Sequence, residues 1–246
     1  MIADERYHVT AIDTAVSILE VLQDRKITGP TEIARTLDVS KANVHKHLVT
    51  LHDHGFLRRD GDKYRLGYRF YEFGSTVRNE EPLFQEAIAS LQELATIADE
   101  VATLLIRDGD VGVYIHSIDP DRDGQPGVKA GTRISLDETA SGRAILASLD
   151  RVGSDSPVGP SAANGTGRLG SAGEGWIAQT DDETGLREIA APVTMDDGEP
   201  IGAVALFVDA PSVSEQVESN YTKLVKKTAQ TVSKRMGIRG GNRRSR

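Results

Sequence analysis

The sequence predicts an α+β protein with an N-terminal winged helix-turn-helix and a C-terminal domain in which helices flank an antiparallel sheet. Three observations predict this fold class. A helix–turn–helix–hairpin pattern lies between Thr31 and Leu66, and hairpins rather than crossovers connect the later strands. The length of 246 residues is also sufficient for two domains.

Two short amphipathic segments form the helix-turn-helix pattern. An apolar stripe from Ile33 to Leu37 precedes a turn at Ser40, whose hydroxyl can cap the next helix. In that helix Val44, Leu48 and Leu51 recur at spacings of four and three, so they are predicted to face the core. An earlier helix, from about Ala11 to Gln23 with Thr10 as its cap, is predicted to pack behind this pair.

The second of these helices has the character of a recognition helix. Its outer side carries basic and amide side chains near the N-terminal end, and a basic hairpin turns at Asp60-Gly61, where a wing would follow the phosphate backbone. A winged helix that docks a protein partner is the alternative, since surface Lys and Arg also serve simply to hydrate a face. The predicted DNA contacts are Ser40, Lys41, Asn43, His45 and Lys46 in the helix and Arg58, Arg59, Lys63 and Arg65 in the wing.

The net charge of −8 is unevenly distributed along the chain. Residues 1–78 carry 12 Lys and Arg against 11 Asp and Glu, residues 79–222 carry 8 against 26, and residues 223–246 carry 9 against none. The acidic charge therefore lies away from the predicted DNA-binding segment. Asp outnumbers Glu 21 to 16 and Arg outnumbers Lys 20 to 9, a composition typical of proteins in a very salty cytoplasm.

Neither a catalytic centre nor a metal or cofactor site is predicted. Cysteine is absent, and phosphate-binding, nucleophile-elbow and zinc-protease motifs are missing. Of the helix histidines, His45 and His52 fall on one face while His47 and His54 fall on nearly the opposite face, so they cannot converge on one ion. With no long apolar run and no leader-like start, the chain is expected to be cytoplasmic and without membrane contact.

The remaining chain alternates between helix and strand patterns. The aromatic residues Tyr68, Phe70, Tyr71 and Phe73 are predicted to lie in a short helix that ends near Gly74. Most of them are expected to pack into the protein core, and this linker helix is also expected to touch its symmetry mate. A further helix is expected to start at Glu81-Pro82. The other predicted elements are strands at 101–107, 111–117 and 128–130, a helix at 139–149, a Gly- and Ser-rich loop at 153–175, strands at 186–195 and 201–208, and a last helix through Val232.

These segments suggest four parts of the chain. Residues 1–67 are expected to form the winged helix-turn-helix and residues 68–80 a linker helix. Residues 81–236 are expected to form the second domain, and residues 237–246 a basic disordered tail.

Three stretches together resemble the IclR-type transcription regulators. They are HGFLRRDGDKYRLGYRFYEFG at 54–74, ISLDETASGRAILASL at 134–149 and GLREIAAPVTMDDGEPIGAVALFV at 185–208, and they occur in the order and spacing of that family. The resemblance implies a GAF-like effector domain that binds a small metabolite, a homodimer or dimer of dimers, and control of operons for sugar, sugar-acid or aromatic catabolism. Binding of the effector is expected to change the affinity for a double-stranded DNA operator.

The resemblance also implies an effector pocket at the start of the 139–149 helix, whose free N–H groups can hold an anionic oxygen. The sequence departs from the family in two places. Residues 151–174 are short and Gly/Ser-rich, and Glu188 stands where the family often has cysteine. An acid there disfavours a carboxylate ligand unless Arg187, Arg133 or Arg143 compensates, so the ligand is expected to be neutral, cationic or absent. The implied pocket residues are Thr139, Ala140, Ser141, Gly142, Asp181, Arg187, Glu188, Ala205 and Phe207.

Overall fold

The computed structural model describes residues 9–120, 128–152, 175–180 and 184–244. The chain divides into two compact units, Met1–Val77 and Arg78–Arg246, and the division falls inside a single helix. The first unit contains helices α1 (Thr10–Arg25), α2 (Pro30–Leu37) and α3 (Lys41–Asp53), strands β1 (Leu57–Asp60) and β2 (Lys63–Leu66), and the start of helix α4 (Arg69–Glu80).

Unit 1 is built around one small apolar core. Ile18 of α1, Ile33 of α2 and Val44 and Leu48 of α3 are fully buried in it. The Ser40 hydroxyl accepts the backbone N–H of Asn43 at 3.2 Å, which confirms the predicted cap of α3. The predicted cap of α1 was wrong, because Thr10 is already helical and the residue before it makes no side-chain cap bond.

The aromatic cluster around α4 is more exposed than its sequence suggested. Tyr68, Tyr71 and Phe73 are 76%, 72% and 49% exposed, and no residue of α4 is buried, so the expectation of core packing was wrong. A helix places residues one apart about 100° from each other, so a run of aromatics cannot all face one core. The helix also continues past Gly74 to Glu80.

A group of contacts, here called the α3–α4 clamp, holds the start of α4 against the end of α3. The Phe56 ring lies 5.2 Å from the Phe70 ring and 5.7 Å from the Phe73 ring, centroid to centroid. The Arg69 guanidinium donates to the backbone carbonyl of His54 at 2.6 Å. Gly67 lies so close to this turn that an added Cβ would come within 2.3 Å of a backbone carbonyl oxygen of residue 55. These contacts join residues just before the wing to residues just after it, so they fix the direction in which α4 leaves the wing.

Unit 2 is built on a six-stranded antiparallel sheet with helices on its faces, which confirms the predicted fold class. The strand order is β5-β4-β3-β8-β7-β6. Its elements are α5 (Pro82–Ala98), β3 (Val101–Asp108), β4 (Val111–Ile118), β5 (Arg133–Ser135), α6 (Ala140–Val152), β6 (Ile177–Thr180), β7 (Leu186–Thr194), β8 (Pro200–Asp209), a 3₁₀ turn (Ala210–Ser212) and α7 (Glu215–Arg244).

The two faces of this sheet carry different helices. Helices α5 and α7 pack together over one face, where residues such as Leu91, Ile189 and Val225 form the larger core. Helix α6 covers the other face, where Ile145 packs near Tyr114 and Ala144 near Ala190. Successive residues of each strand therefore belong to different layers.

Two elements of unit 2 differ from the sequence prediction. Residues 128–130 do not form a strand, because the chain turns at Gly131 with φ of 91° and its backbone hydrogen bonds to β4 begin at that glycine. The expected tail at 237–246 is helical as far as Arg244, since α7 stays anchored beyond Val232. Gly237 is buried against Asp196, and the Arg239 guanidinium donates to Gln85 at 2.8 Å. Most of the predicted loop at 153–175 lies outside the described residues. In the described part of the chain, no helix is both long enough and apolar enough to cross a membrane.

Candidate nucleic-acid interface and effector site

Helix α3 presents one polar edge at its N-terminal end. The inward residues Val44 and Leu48 are fully buried, and this fixes the rotation of the helix about its axis. The side chains predicted to contact DNA all lie on the exposed side: Ser40, Lys41, Asn43, His45 and Lys46. Neither Lys41 nor Lys46 forms an ion pair within the part of the chain that the structure describes. The edge therefore combines free cations with an amide, the side-chain chemistry that contacts phosphates and base edges.

The wing carries a second set of exposed cations. Arg58 lies directly opposite Arg65 in the β1–β2 ladder, and Asp60 lies opposite Lys63. The Arg58 guanidinium lies over the Tyr68 ring, 4.7 Å from its centroid, and the Arg59 Nε donates to the carbonyl of Gly61 at 2.7 Å. Like charges directly opposite each other destabilise a sheet pair, and a polyanion beside the wing would relieve that repulsion.

Several of the predicted effector residues lie together at the N-terminal end of α6, and the Glu188 carboxyl group is at their centre. Its Oε2 accepts the backbone N–H of Ala140 at 2.8 Å, and its Oε1 accepts the backbone N–H of Ser141 at 3.3 Å. The Ser141 hydroxyl donates to Oε1 at 2.5 Å, and the Tyr114 hydroxyl donates to the same oxygen at 3.1 Å. The backbone donors that were expected to hold an effector oxygen are thus bonded to the chain's own carboxyl group.

Tyr114 is a member of this site that sequence reasoning missed. It lies on β4, is fully buried, and stands 74 residues before Glu188 in the chain. Nothing in the local spacing marks it, because the two side chains meet only through the strand order β4-β3-β8-β7. Burial and the nearby Glu188 raise the pKa of the Tyr114 hydroxyl well above its usual range, so it remains a donor.

Thr139 and Gly142 complete the start of α6. The Thr139 hydroxyl accepts the backbone N–H of Gly142 at 3.2 Å, so it caps the helix. A Cβ added to Gly142 would lie 2.2 Å from the carbonyl oxygen of Leu136, so only glycine allows the helix to approach this segment. Both residues therefore have structural roles that position the donors at Ala140 and Ser141.

Arg187 does not belong to this cluster, and the prediction that it shares a pocket with Glu188 was wrong. Its guanidinium donates to Glu218 of α7 at 2.8 Å and to the Thr180 hydroxyl at 2.9 Å, on the α7 face of the sheet. Adjacent residues of a strand point to opposite faces, and Glu188 points toward α6. Ala205 and Phe207 do lie on the α6 face, where Phe207 is paired with Glu188 across the strands and its ring lies 6.3 Å from that of Tyr114. Asp181 lies outside the described residues.

None of the three arginines proposed to compensate Glu188 contacts it. Arg187 pairs with Glu218, Arg133 pairs with Asp108 at 3.1 Å, and the Arg143 Nε donates to the carbonyl of Asp137 at 2.8 Å. Burial raises the pKa of the Glu188 carboxyl above its ordinary value, while hydrogen bonds from Ser141, Ala140 and Tyr114 act in the opposite direction. The carboxyl group is thus held by dipoles and hydroxyls rather than by a cation.

A cleft of about 650 Å³ lies elsewhere, along α7. It is lined by Trp176, Glu218, Lys223 and other α7 side chains, and none of the described residues predicted to bind the effector lines it. The α6 end is the better candidate for the effector site, because buried polar groups converge there, whereas the cleft is an open surface groove.

Comparison with known proteins matches both units of the chain. The IclR helix-turn-helix domain matches residues 11–61, and the C-terminal domain of the bacterial transcriptional regulator IclR matches residues 76–157. The transcriptional regulator KipR of Bacillus subtilis is 31% identical over 180 residues, which cover 73% of this chain and 69% of KipR. The regulator KdgR of Dickeya chrysanthemi is 27% identical over 246 residues, which cover 93% of this chain and 80% of KdgR.

A solved structure gives the same fold. It is an IclR homologue from Microbacterium hydrocarbonoxydans in complex with 4-hydroxybenzoate, with a TM-score of 0.70 and 17% identity, covering 92% of this chain and 98% of that one. The relatives are transcription regulators and not enzymes, as expected from the missing catalytic motifs. The chain belongs to the IclR family and is a transcriptional regulator with an N-terminal DNA-binding helix-turn-helix domain and a C-terminal ligand-binding domain.

Proposed function

We propose that α3 enters the major groove of an operator through the edge formed by Ser40, Lys41, Asn43, His45 and Lys46. Asn43, His45 and Lys46 read base edges or adjacent phosphates, and Lys41 holds a phosphate. The wing residues Arg58, Arg59, Lys63 and Arg65 follow the neighbouring phosphate backbone. The single observation that carries this assignment is the unpaired cationic edge of α3, which the buried Val44 and Leu48 hold facing outward.

A double substitution tests the assignment. We expect Asn43→Ala with Lys46→Ala to lose specific binding to genomic fragments that the wild-type chain retains, measured by gel shift, because each lost base contact is worth about 1–3 kcal/mol. The matched control is Asn220→Ala with Lys223→Ala, which removes the same two residue types at the same spacing from an exposed face of α7. Unchanged binding by the first pair would reject α3 as the recognition helix. A wild-type chain that retains no fragment but captures a stable protein complex would favour the protein-docking alternative.

We propose further that the chain acts as a homodimer or a dimer of dimers. Unit 1 exposes large apolar side chains that it does not cover itself: Val9, Ile12 and Val16 along α1, and Tyr71, Phe73 and Val77 on α4. The α1 residues recur at spacings of three and four and so form one stripe. Exposed apolar stripes of this kind are typical of protein–protein contacts, and a two-fold dimer would set the spacing of two operator half-sites.

The proposed domains follow the division of the chain into two units. Residues 1–67 form the DNA-binding domain and residues 68–80 the linker helix, and the effector domain extends from residue 81 through the end of α7. All three lie in the cytoplasm, together with the operator. The effector site lies at the α6 end, where Tyr114 joins the expected residues Thr139, Ala140, Ser141, Gly142, Glu188, Ala205 and Phe207, and Arg187 is not part of it. An effector that binds there shifts the arrangement of the two winged helices of a dimer, and linkage then changes operator affinity by the same factor as effector affinity.

A second candidate function is transcriptional regulation that does not respond to a small carboxylate effector. It is favoured by Glu188, whose carboxyl group takes up the backbone donors at the α6 end. The two candidate functions are distinguished, for one carboxylate, by measuring operator affinity with and without 4-hydroxybenzoate, the ligand of the Microbacterium homologue. A change in affinity would support the first candidate and constant affinity the second.

A further inference from the structure

We propose that Glu188 is a built-in carboxyl ligand: it occupies the N-terminal end of α6, where the anionic group of a small-molecule effector would otherwise bind. The wild-type chain then takes no free carboxylate at this place, and removal of the Glu188 side chain creates a site for one. The inference rests on the proposed position of the effector site at this end of α6.

The hydrogen-bond donors at the site already bind the Glu188 carboxyl group. Two backbone N–H groups at the start of α6 and the hydroxyls of Ser141 and Tyr114 donate to the two oxygens of one carboxyl group. The N-terminal end of a helix carries unsatisfied N–H groups and a partial positive charge, which together favour an anion. A second carboxylate would find no free donor there and would also meet the first one.

The absence of a neighbouring cation separates this arrangement from an ordinary buried ion pair. Glu188 is only 5% exposed, and within the described chain its contacts are hydroxyls and backbone N–H groups. By contrast, Glu218 of α7 is paired with Arg187 of β7 on the opposite face of the sheet. A carboxyl group buried without a cation is tolerated where oriented donors replace water, and the same donors would serve a free carboxylate.

The shape of the Glu188 side chain sets the size of the ligand that could replace it. Replacement of Glu by Ala removes one methylene and the carboxyl group, and together these have the outline of acetate. Replacement by Gly removes two methylenes and the carboxyl group, the outline of propionate. The ring of Phe207 and the buried Tyr114 limit the space beside this outline, so a longer acid would fit poorly in the Ala variant.

Thermal unfolding of the full chain tests the proposal. In chloride buffer we expect Glu188→Ala to unfold at a lower temperature than wild type. Sodium acetate, compared with sodium chloride at equal ionic strength, should then raise its midpoint saturably by about 2–4 °C, the shift for about 1 kcal/mol in a chain of this size. Propionate should act more weakly on this variant. In Glu188→Gly the preference should reverse, with propionate acting more strongly than acetate.

The controls are wild type and Glu93→Ala. We expect neither midpoint to respond to acetate, because wild type keeps its built-in ligand and Glu93→Ala removes an exposed carboxyl group of α5 without leaving a buried donor unpaired. A saturable rise in wild type would show that the α6 donors are free and would overturn the proposal. The absence of rescue in both Glu188 variants would overturn it as well.

Two further measurements keep the test decisive if a variant folds poorly. Recovery of folded Glu188→Ala on refolding in acetate but not in chloride counts as rescue, and equal recovery in both counts against it. In the wild-type chain the amide resonances of Ala140 and Ser141 should stay fixed as acetate is added, and a saturable shift would contradict occupancy by Glu188. No readout here involves DNA, so failure of operator binding and failure of this proposal are distinguishable.

Discussion

At the scale of single residues, the candidate effector site depends on which of two neighbours in β7 faces α6. Glu188 and Arg187 are adjacent in sequence, yet their partners, Ser141 of α6 and Glu218 of α7, lie on opposite faces of the sheet. Their opposite charges suggested mutual compensation, but a strand cannot place adjacent side chains together. The acid is therefore left with hydroxyl and backbone donors alone.

The raised pKa of Glu188 predicts a specific dependence of stability on pH. A carboxyl group whose folded-state pKa is raised binds protons more tightly in the folded chain, so the stability it contributes is present at low pH and lost as pH rises through the raised value. We expect the free energy of unfolding of wild type, relative to Glu188→Gln, to fall as the pH rises from about 4 through the raised pKa of Glu188. Fluorescence of Trp176, the single tryptophan, reports this in unit 2. The Tyr114 hydroxyl faces the same group and stays protonated over this range, so it does not confuse the comparison. A constant difference across the range would contradict the raised pKa.

At the scale of elements, local patterns predicted those features that local contacts fix. The Ser40 cap, the inward residues of α3 and the wing turn follow from spacing over a few residues, and the structure confirms them. The predicted end of α4 at Gly74 was wrong, since this helix continues to Glu80, and the end of α7 was placed wrongly because contacts from a distant segment hold it. Arg239 of α7, for example, is held by Gln85, 154 residues away in the chain. Tyr114 was missed for the same reason, since it joins the site only through strand order.

The start of α6 provides a prediction at this scale. We expect Gly142→Ala to lower the free energy of unfolding by about 1–3 kcal/mol or more, because the new Cβ would overlap the backbone of Leu136 and push α6 away from the sheet. The matched control is Gly74→Ala in α4, where an added Cβ meets no atom within 4 Å. That change should stabilise unit 1 by about 0.5–1 kcal/mol. Urea unfolding, followed by Trp176 fluorescence and circular dichroism, measures both, and a neutral Gly142→Ala would show that the close approach is not needed.

At the scale of the whole molecule, charge and apolar surface are divided between the parts of the chain. Residues 79–222 carry 8 basic against 26 acidic residues, whereas residues 1–78 are almost balanced. An acidic surface repels DNA, so in the proposed complex a duplex is expected to approach the exposed cations of α3 and the wing rather than the acidic part of the chain. The uncovered apolar side chains of α1 and α4 also belong to unit 1, which favours contact between copies near the DNA.

Charged substitutions test that contact. We expect Ile12→Glu on α1 and Val77→Glu on α4 each to shift the chain toward monomer in analytical ultracentrifugation, because a buried unpaired carboxylate is costly in an apolar interface. Binding to an operator with two half-sites should weaken in parallel. Ile97→Glu is the control, since Ile97 is an equally exposed apolar residue of α5 in unit 2. A monomeric wild type, or variants that associate as wild type does, would argue against this dimer.

The α3–α4 clamp has a mechanical consequence for signalling. The stacked rings, the Arg69 hydrogen bond and the close approach of Gly67 to the carbonyl of residue 55 connect the end of α3 to the start of α4, so we expect the two helices to move together. Helix α3 has 13 residues and is thus about 20 Å long. A tilt of about 10° at one end of such a helix moves the other end by about 3.4 Å, the rise of one nucleotide along a strand. In the proposed operator complex, a small tilt of α4 is therefore expected to displace α3 by about one base-pair step.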